Sequence, residues 1–550
     1  MRNGFFCVIS GRQRLTEAIT PKVTHTAQHR QAPAGTSLTA INFRNVIENI
    51  GNRSLELRIE PLYKPLAYKH IMINKKSLLA SLTLASTIGS AILNFDFAHA
   101  QESTASSDKE QQNSAQELQA KDIDMANQFF GLLVSFDPIQ VGKILTIIED
   151  NWSVEYLPMA LETLGFAQSD FVRARLSALI EKETPRSKFN NANDRYQWLW
   201  GQNVEAPLGY ANFKADLYQH IDSKFETYFR DRQASARIRL DEIRWGGVVQ
   251  DGIPPLRNPE MISQQQADYL EDDNVVFGIE INGDARAYPK RILAWHEMFT
   301  DTIGGVDIAG VYCTLCGTVI PYKTNHKGTK YQLGTSGFLY RSNKLMYDQA
   351  TQSLWSTSRG APVLGPLVDK GIQLEFESVV TTTWGEWRKR HPDTTVLSLN
   401  TGHLRNYDEG NAYNEYFSTD RLMFNTPFND TRLKNKQEIL ALRFPAAPEQ
   451  QLAIDTNYLN KHTVYENRIG QQKFVVLTDK SGANRVYDPK GVKFKNYDGE
   501  STVTDKSGQA WTVNESWLEA KNGERLERLP YYRAFWFGWR AAFPETKLIK

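Results

Sequence analysis

Two stretches of this 550-residue chain carry the same aromatic signature in the same order. Residues 381–394 read T-T-T-W-G-E-W-R-K-R-H-P-D-T, and residues 533–546 read R-A-F-W-F-G-W-R-A-A-F-P-E-T. They align without gaps, placing Trp384 on Trp536, Trp387 on Trp539, Arg388 on Arg540, Pro392 on Pro544 and Thr394 on Thr546. Upstream, His296 with Ile303-Gly304 matches His462 with Ile469-Gly470, and Asp348 and Trp355 match Asp505 and Trp511. Only 12 tryptophans occur in the chain, so an ordered set of this kind is not accidental. The pattern predicts a duplicated α+β unit over roughly 270–400 and 436–550, in which the Trp segments superpose. Each Trp pair, spaced i, i+3, lies on one helix face, and proline stops each helix ahead of a short strand. Core packing is the expected role of these tryptophans.

Between residues 122 and 232 the period is helical. Ile144, Ile147 and Ile148 mark one face, Phe213, Leu217 and Ile221 another, and Asp137-Pro138 separates two helices. After Trp245, Val275 to Ile281, Ile308 to Tyr312 and Thr318 to Tyr322 are β-rich runs bounded by Gly, Asn and Asp. The expected fold class is α+β: a small helical N-terminal domain at 121–235 followed by a duplicated, β-rich α+β unit. Its first repeat, 236–435, carries a Cys-x-x-Cys site, and its second spans 436–550.

Upstream of the helices, Lys75-Lys76, an uncharged apolar run from Ser77 to Leu93 and Ala98-His99-Ala100 have the layout of a signal peptide starting at Met72. The run is short for a spanning helix, which needs roughly 20 residues. Residues 72–100 are therefore expected to be a cleaved leader, leaving a periplasmic or secreted protein with no stable membrane span. Residues 1–71 read as a mis-called N-terminal extension, and 101–120, polar and low in complexity, as a disordered leader. Lys+Arg number 64 against 63 Asp+Glu, a balance that argues against a nucleic-acid partner.

Export would remove Cys7 and leave Cys313 and Cys316 as the only thiols. C-T-L-C-G joins two strand-like runs, and T-V-I-P-Y follows, so no helix opens at the second cysteine as it does in thioredoxin-like sites. A tight turn with Gly317 after the pair suits a metal knuckle, with His296 as third ligand and Met346 as a soft fourth. Glu297 would orient the imidazole, and Tyr312 would flank the site. Two Cys, His and Met suit copper; two Cys, His and water suit zinc. Two other readings stand beside the metal site: a thiol–disulfide oxidoreductase, and a non-catalytic binding module with structural cysteines. The second repeat has Thr478 and Ser481 near the cysteine positions, so cysteine chemistry belongs to the first repeat alone. Thr335-Ser336-Gly337 is no nucleophile elbow. Arg286 and Tyr288 read as turn and strand residues, and His326, His391 and His403 as solvated.

The series L-D-E-I-R-W-G-G-V-V-Q-D-G-I-P-P-L (240–256), I-N-G-D-A-R-A-Y-P (281–289), W-H-E (295–297), Y-C-T-L-C-G (312–317), L-M-Y-D (345–348) and S-L-W-S (353–356) resembles the bacterial DUF3179 domain family. W-R-K-R-H-P-D-T (387–394) completes it. The resemblance runs over roughly 235–550. It implies that His296, Cys313 and Cys316 belong to one site, and it implies no particular reaction, substrate or partner. N-terminal sequencing of the isolated native protein is expected to read from Gln101; a start within residues 1–71 would refute the leader.

Overall fold

The computed structural model describes residues 97–184, 192–202 and 204–550. Residues from Lys109 to Lys550 form one compact unit. The expected extension at 1–71 and most of the 72–100 leader lie outside the described residues. Residues 101–120, expected as a disordered leader, are instead part of a helix, Phe97–Val134. Their Ala, Gln, Glu and Lys are good helix formers, and low complexity does not oppose that propensity. Among the described residues no helix is long and apolar enough to cross a membrane.

Helices Pro138–Asp150, Leu157–Phe166, Asp170–Glu183, Ala192–Trp200, Tyr210–Tyr218 and Glu226–Phe229 follow. Asp137 caps the first of these, accepting from the Ile139 N–H at 2.9 Å with Pro138 in the opening turn. Ile144 and Ile148 are buried, but Ile147 turns outward. This helical part does not close its own core. Its apolar residues pack in one cluster with Ile243, Phe338, Leu345, Tyr347 and Leu354 from the β-region. A buried ion pair fastens the junction: Lys214 Nζ lies 2.8 Å from Glu162 Oε1 and donates to the Ile243 carbonyl at 3.0 Å. Tyr210 and Tyr218 donate to the same carboxylate, so the buried charges are satisfied rather than stranded. The expected boundary at 235 is thus a change of texture along the chain and not a gap between cores.

The β-region is α+β, as expected. One sheet has the order Val380–Thr383, Val275–Ile281, Asp284–Pro289, Thr395–Leu397, Met261–Ser263. Its first two pairings are antiparallel, the third parallel and the last antiparallel. A later sheet has the order Tyr532–Phe535, Glu438–Arg443, Gln451–Asp455, Lys547–Ile549, with antiparallel, antiparallel and parallel pairings. In both, the central hairpin is followed by a short helix, Lys290–His296 or Thr456–Lys461. A second hairpin set and a meander come next, and the chain then returns to the sheet edge. There it forms a Trp helix, Trp384–Arg390 or Trp536–Ala542.

The Trp helices are anchored alike. Trp387 Nε1 donates to Thr394 Oγ1 at 2.9 Å, and Trp539 Nε1 to Thr546 Oγ1 at 2.8 Å. The Trp384 N–H donates to the Asn274 carbonyl at 2.8 Å, and that of Trp536 to Gln437 at 2.9 Å. In the meanders, Asp348 accepts from its turn backbone and from Trp355 Nε1 at 3.3 Å; Asp505 does the same with Trp511 at 3.1 Å. All six tryptophans are buried, the core role expected of them.

Gly278 exists because of this packing: a Cβ there would overlap the Trp387 ring. Gly278→Ala should therefore lower stability by about 1–3 kcal/mol through overpacking. Equilibrium denaturation checks this, and an unchanged midpoint would refute the packing account.

Candidate functional site

The segment 295–317 folds back on itself. Met298–Ile303 pairs antiparallel with Val306–Cys313, which pairs in turn with Thr318–Lys323. Just ahead of the first strand Glu297 adopts φ +56°, an uncommon backbone for a side-chain-bearing residue, and its carbonyl accepts from the Tyr312 N–H at 2.9 Å. The backbone on either side of W-H-E thereby meets the backbone leading into the cysteines.

Cys313 and Cys316 are joined as a disulfide across a tight turn, with Cα atoms 5.3 Å apart. The turn is closed by the Cys316 N–H donating to the Cys313 carbonyl at 3.1 Å, and Gly317 leaves it at φ +59°. The pair is sealed, at 3% and 1% exposure. Leu315, Leu339 and Tyr416 share its cluster, and Tyr413, Phe417, Met423 and Phe424 pack on it. Tyr416 OH holds the cover by donating to the Leu315 carbonyl at 2.8 Å. From the other side, the Phe535 N–H donates to the Cys316 carbonyl at 2.7 Å. A Cβ on Gly538 would stand 3.0 Å from Cys316 Cβ, so only glycine lets the Trp536–Ala542 helix sit this close.

His296 is not in a polar break, as expected from sequence, but is the last residue of its helix and fully buried. Its Nδ1 lies 2.9 Å from the Pro254 carbonyl and its Nε2 lies 2.6 Å from Tyr407 OH. A carbonyl can only accept, so Nδ1 carries the proton and Nε2 accepts from Tyr407. Thr401 Oγ1 lies 2.6 Å from the same hydroxyl. Burial pushes the imidazole down to about 4, helped by the nearby His403 and Arg405 and opposed by the bond to Pro254. Beside the histidine opens a cavity of about 490 Å³ lined by Tyr269, Arg291, His403, Arg405, Tyr407 and Asp408, among others.

Glu297 turns to a different partner. Lys344 Nζ lies 3.0 Å from its Oε2 and donates to its carbonyl, also at 3.0 Å, while Tyr413 OH lies 3.4 Å from Oε1. Burial lowers the Lys344 ammonium against the pull of Glu297, and burial together with the Glu297 charge raises the Tyr312 phenol. Met346 sits in the main core, opposite Thr335 and Trp355.

The four expected ligands therefore do not assemble into one set. The sulfurs bond each other, His296 turns to Pro254 and Tyr407 and not to the sulfurs, and Met346 is packing. Among the described residues no three His, Cys, Asp or Glu side chains gather as a metal group. Adjacency of backbones across a hairpin does not decide where side chains point, and Glu297 at positive φ re-aims its neighbours. Arg286 and Tyr288 keep the strand role expected of them, both bound to Asp301. Sequence reading missed Lys344 and Tyr407, which lie 47 and 111 residues from Glu297 and His296, and Thr401, which reaches the site through Tyr407.

A family model described as a protein of unknown function (DUF3179) matches residues 250–546. The chain belongs to the DUF3179 family. No curated protein and no solved structure matches it. The family match contains Glu297, Lys344, the disulfide, Tyr407 and both Trp helices.

An imidazole held neutral down to about pH 4 when native, with an ordinary value of 6.5 when unfolded, makes the unfolded chain the better proton binder between those values. The stability it contributes is complete above about pH 6.5 and is lost as pH falls toward 4, by roughly 3 kcal/mol in all. Chemical denaturation in chelator-containing buffer should show this fall in the native protein and a flatter one in His296→Gln. Identical profiles would refute the assignment.

Proposed function

We propose that residues 250–546 are a ligand-binding module in which Cys313–Cys316 is a structural pin and not a reacting pair. The observation that carries this reading is the seal over the disulfide. Reactive cysteines occupy partly exposed, electropositive surroundings, whereas thiols buried among apolar groups are inert. Both cysteines here share a buried apolar cluster with Tyr416, and Cys316 lies against Gly538. A loop this small gains little chain entropy from closure, so the bond's effect is local. It holds the shape of the turn whose Cys316 carbonyl receives the Phe535 N–H.

The module is built, in this reading, by duplication of one α+β unit. Support comes from the shared strand order and directions of the two sheets, and from the matched Trp–Thr and Asp–Trp hydrogen bonds. Disulfides persist in oxidising compartments, which supports taking residues 72–100 as an export leader and the protein as periplasmic or secreted. The cavity beside His296 supports a small-molecule or ionic ligand over a nucleic acid.

Reduction kinetics test the proposal. In native buffer, a phosphine reductant followed by maleimide should label Cys313 and Cys316 no faster than the chain unfolds globally. Rapid, fold-preserving reduction with a potential in the range of exchange proteins, about −270 to −120 mV, would overturn it in favour of a thiol–disulfide oxidoreductase.

A further inference from the structure

We propose that His296, His403 and Tyr407 bind a divalent transition-metal ion where buried His296 meets the two cavity-lining residues His403 and Tyr407. The inference deepens the binding reading above by naming the class of ligand.

The second partner of His296 is the first support. Metal-bound histidines almost always donate their other ring N–H to a carbonyl or carboxylate, which fixes the tautomer and aims the free nitrogen. His296 has this arrangement: Nδ1–H is spent on Pro254, leaving Nε2 as a lone pair facing Tyr407.

The spacing of the two rings is the second. The centroids of His296 and His403 are 5.2 Å apart, with planes inclined at 47°. With zinc–nitrogen distances of about 2.0–2.1 Å, each ring centroid stands about 3.2 Å from the ion, so two imidazoles on one ion have centroids about 4.5–5.2 Å apart. The two rings, 107 residues apart in sequence, stand at the upper end of that range. Tyr407 OH supplies an oxygen donor already 2.6 Å from Nε2. On binding, its proton leaves to solvent through the cavity and the phenolate replaces the hydrogen bond with a bond to the ion.

The surroundings permit a cation. Arg291, on the cavity wall, has its guanidinium engaged by the Tyr407 and Tyr269 carbonyls and Asn274 Oδ1, with Glu409 3.6 Å away. Asp408 lines the same cavity, and His403 is exposed, so an ion reaches the site without unfolding. Arg405 is the opposing charge, on an exposed loop.

Titration of the full chain with Cu²⁺ and with Co²⁺ tests this. One equivalent of either should bind with micromolar affinity, and the copper form should show a visible phenolate-to-metal band. His403→Ala, at an exposed position, should keep the fold and weaken binding at least tenfold. Tyr407→Phe should remove the visible band. Exposed His462→Ala should titrate as the native chain does, and so should Cys313→Ser/Cys316→Ser. Absence of stoichiometric binding, or native affinity in His403→Ala, overturns this inference and leaves the sealed-disulfide reading standing. Loss of binding in the double serine variant with retention in His403→Ala would place the ion on the cysteines and overturn both.

Discussion

The interlock between the Cys313–Cys316 turn and the Trp536–Ala542 helix holds the β-region together. The Phe535 N–H reaches across to the Cys316 carbonyl at 2.7 Å, and Gly538 admits the turn to van der Waals distance. The contact is answered at the corresponding turn of the later half, where Ser481 Oγ meets Thr382 Oγ1 at 3.2 Å. Each half thus places its returning edge strand on the hairpin turn of the other. Trp536 and Trp539 of the later half share a core cluster with Met346 and Trp355 of the earlier one. The disulfide lies within this interlock, and a bond that shapes an interface gains from being inaccessible.

The two halves use the same anchors for different ends. Asp348 and Asp505 organise equivalent turns, and Thr394 and Thr546 receive equivalent indoles. Beyond those anchors they diverge. The earlier half carries the disulfide and is covered by the segment holding Tyr413 and Tyr416. At the equivalent turn of the later half, Thr478 and Asp479 line a polar cavity of about 460 Å³. His296 is buried and bonded at both nitrogens, whereas His462 is exposed and stacks on Tyr458 at 3.9 Å.

Several buried charges are handled by pairing. Lys214 with Glu162, Lys344 with Glu297, and Arg485 with Asp479 and Glu515 all lie out of water with opposite partners in reach. Removing one member of such a pair strands the other, at a cost of several kcal/mol, so these residues specify the fold even where they add little net stability.

The strand at Val275–Ile281, the Asp137-Pro138 helix start and the family membership were legible from sequence, because each rests on local periodicity, capping or the order of characteristic residues. So was the hairpin that brings W-H-E beside Y-C-T-L-C-G. What the sequence alone left open is which side chains on that hairpin face one another. Glu297 takes Lys344 and His296 takes Tyr407, 47 and 111 residues away, while Met346 joins the core and the sulfurs take each other. Local patterns report which face of an element is apolar; they carry no record of the distant group that will satisfy a buried nitrogen or carboxylate. That choice is made only when the chain closes, since a buried polar atom must find a partner and the packed neighbours decide which one is within reach.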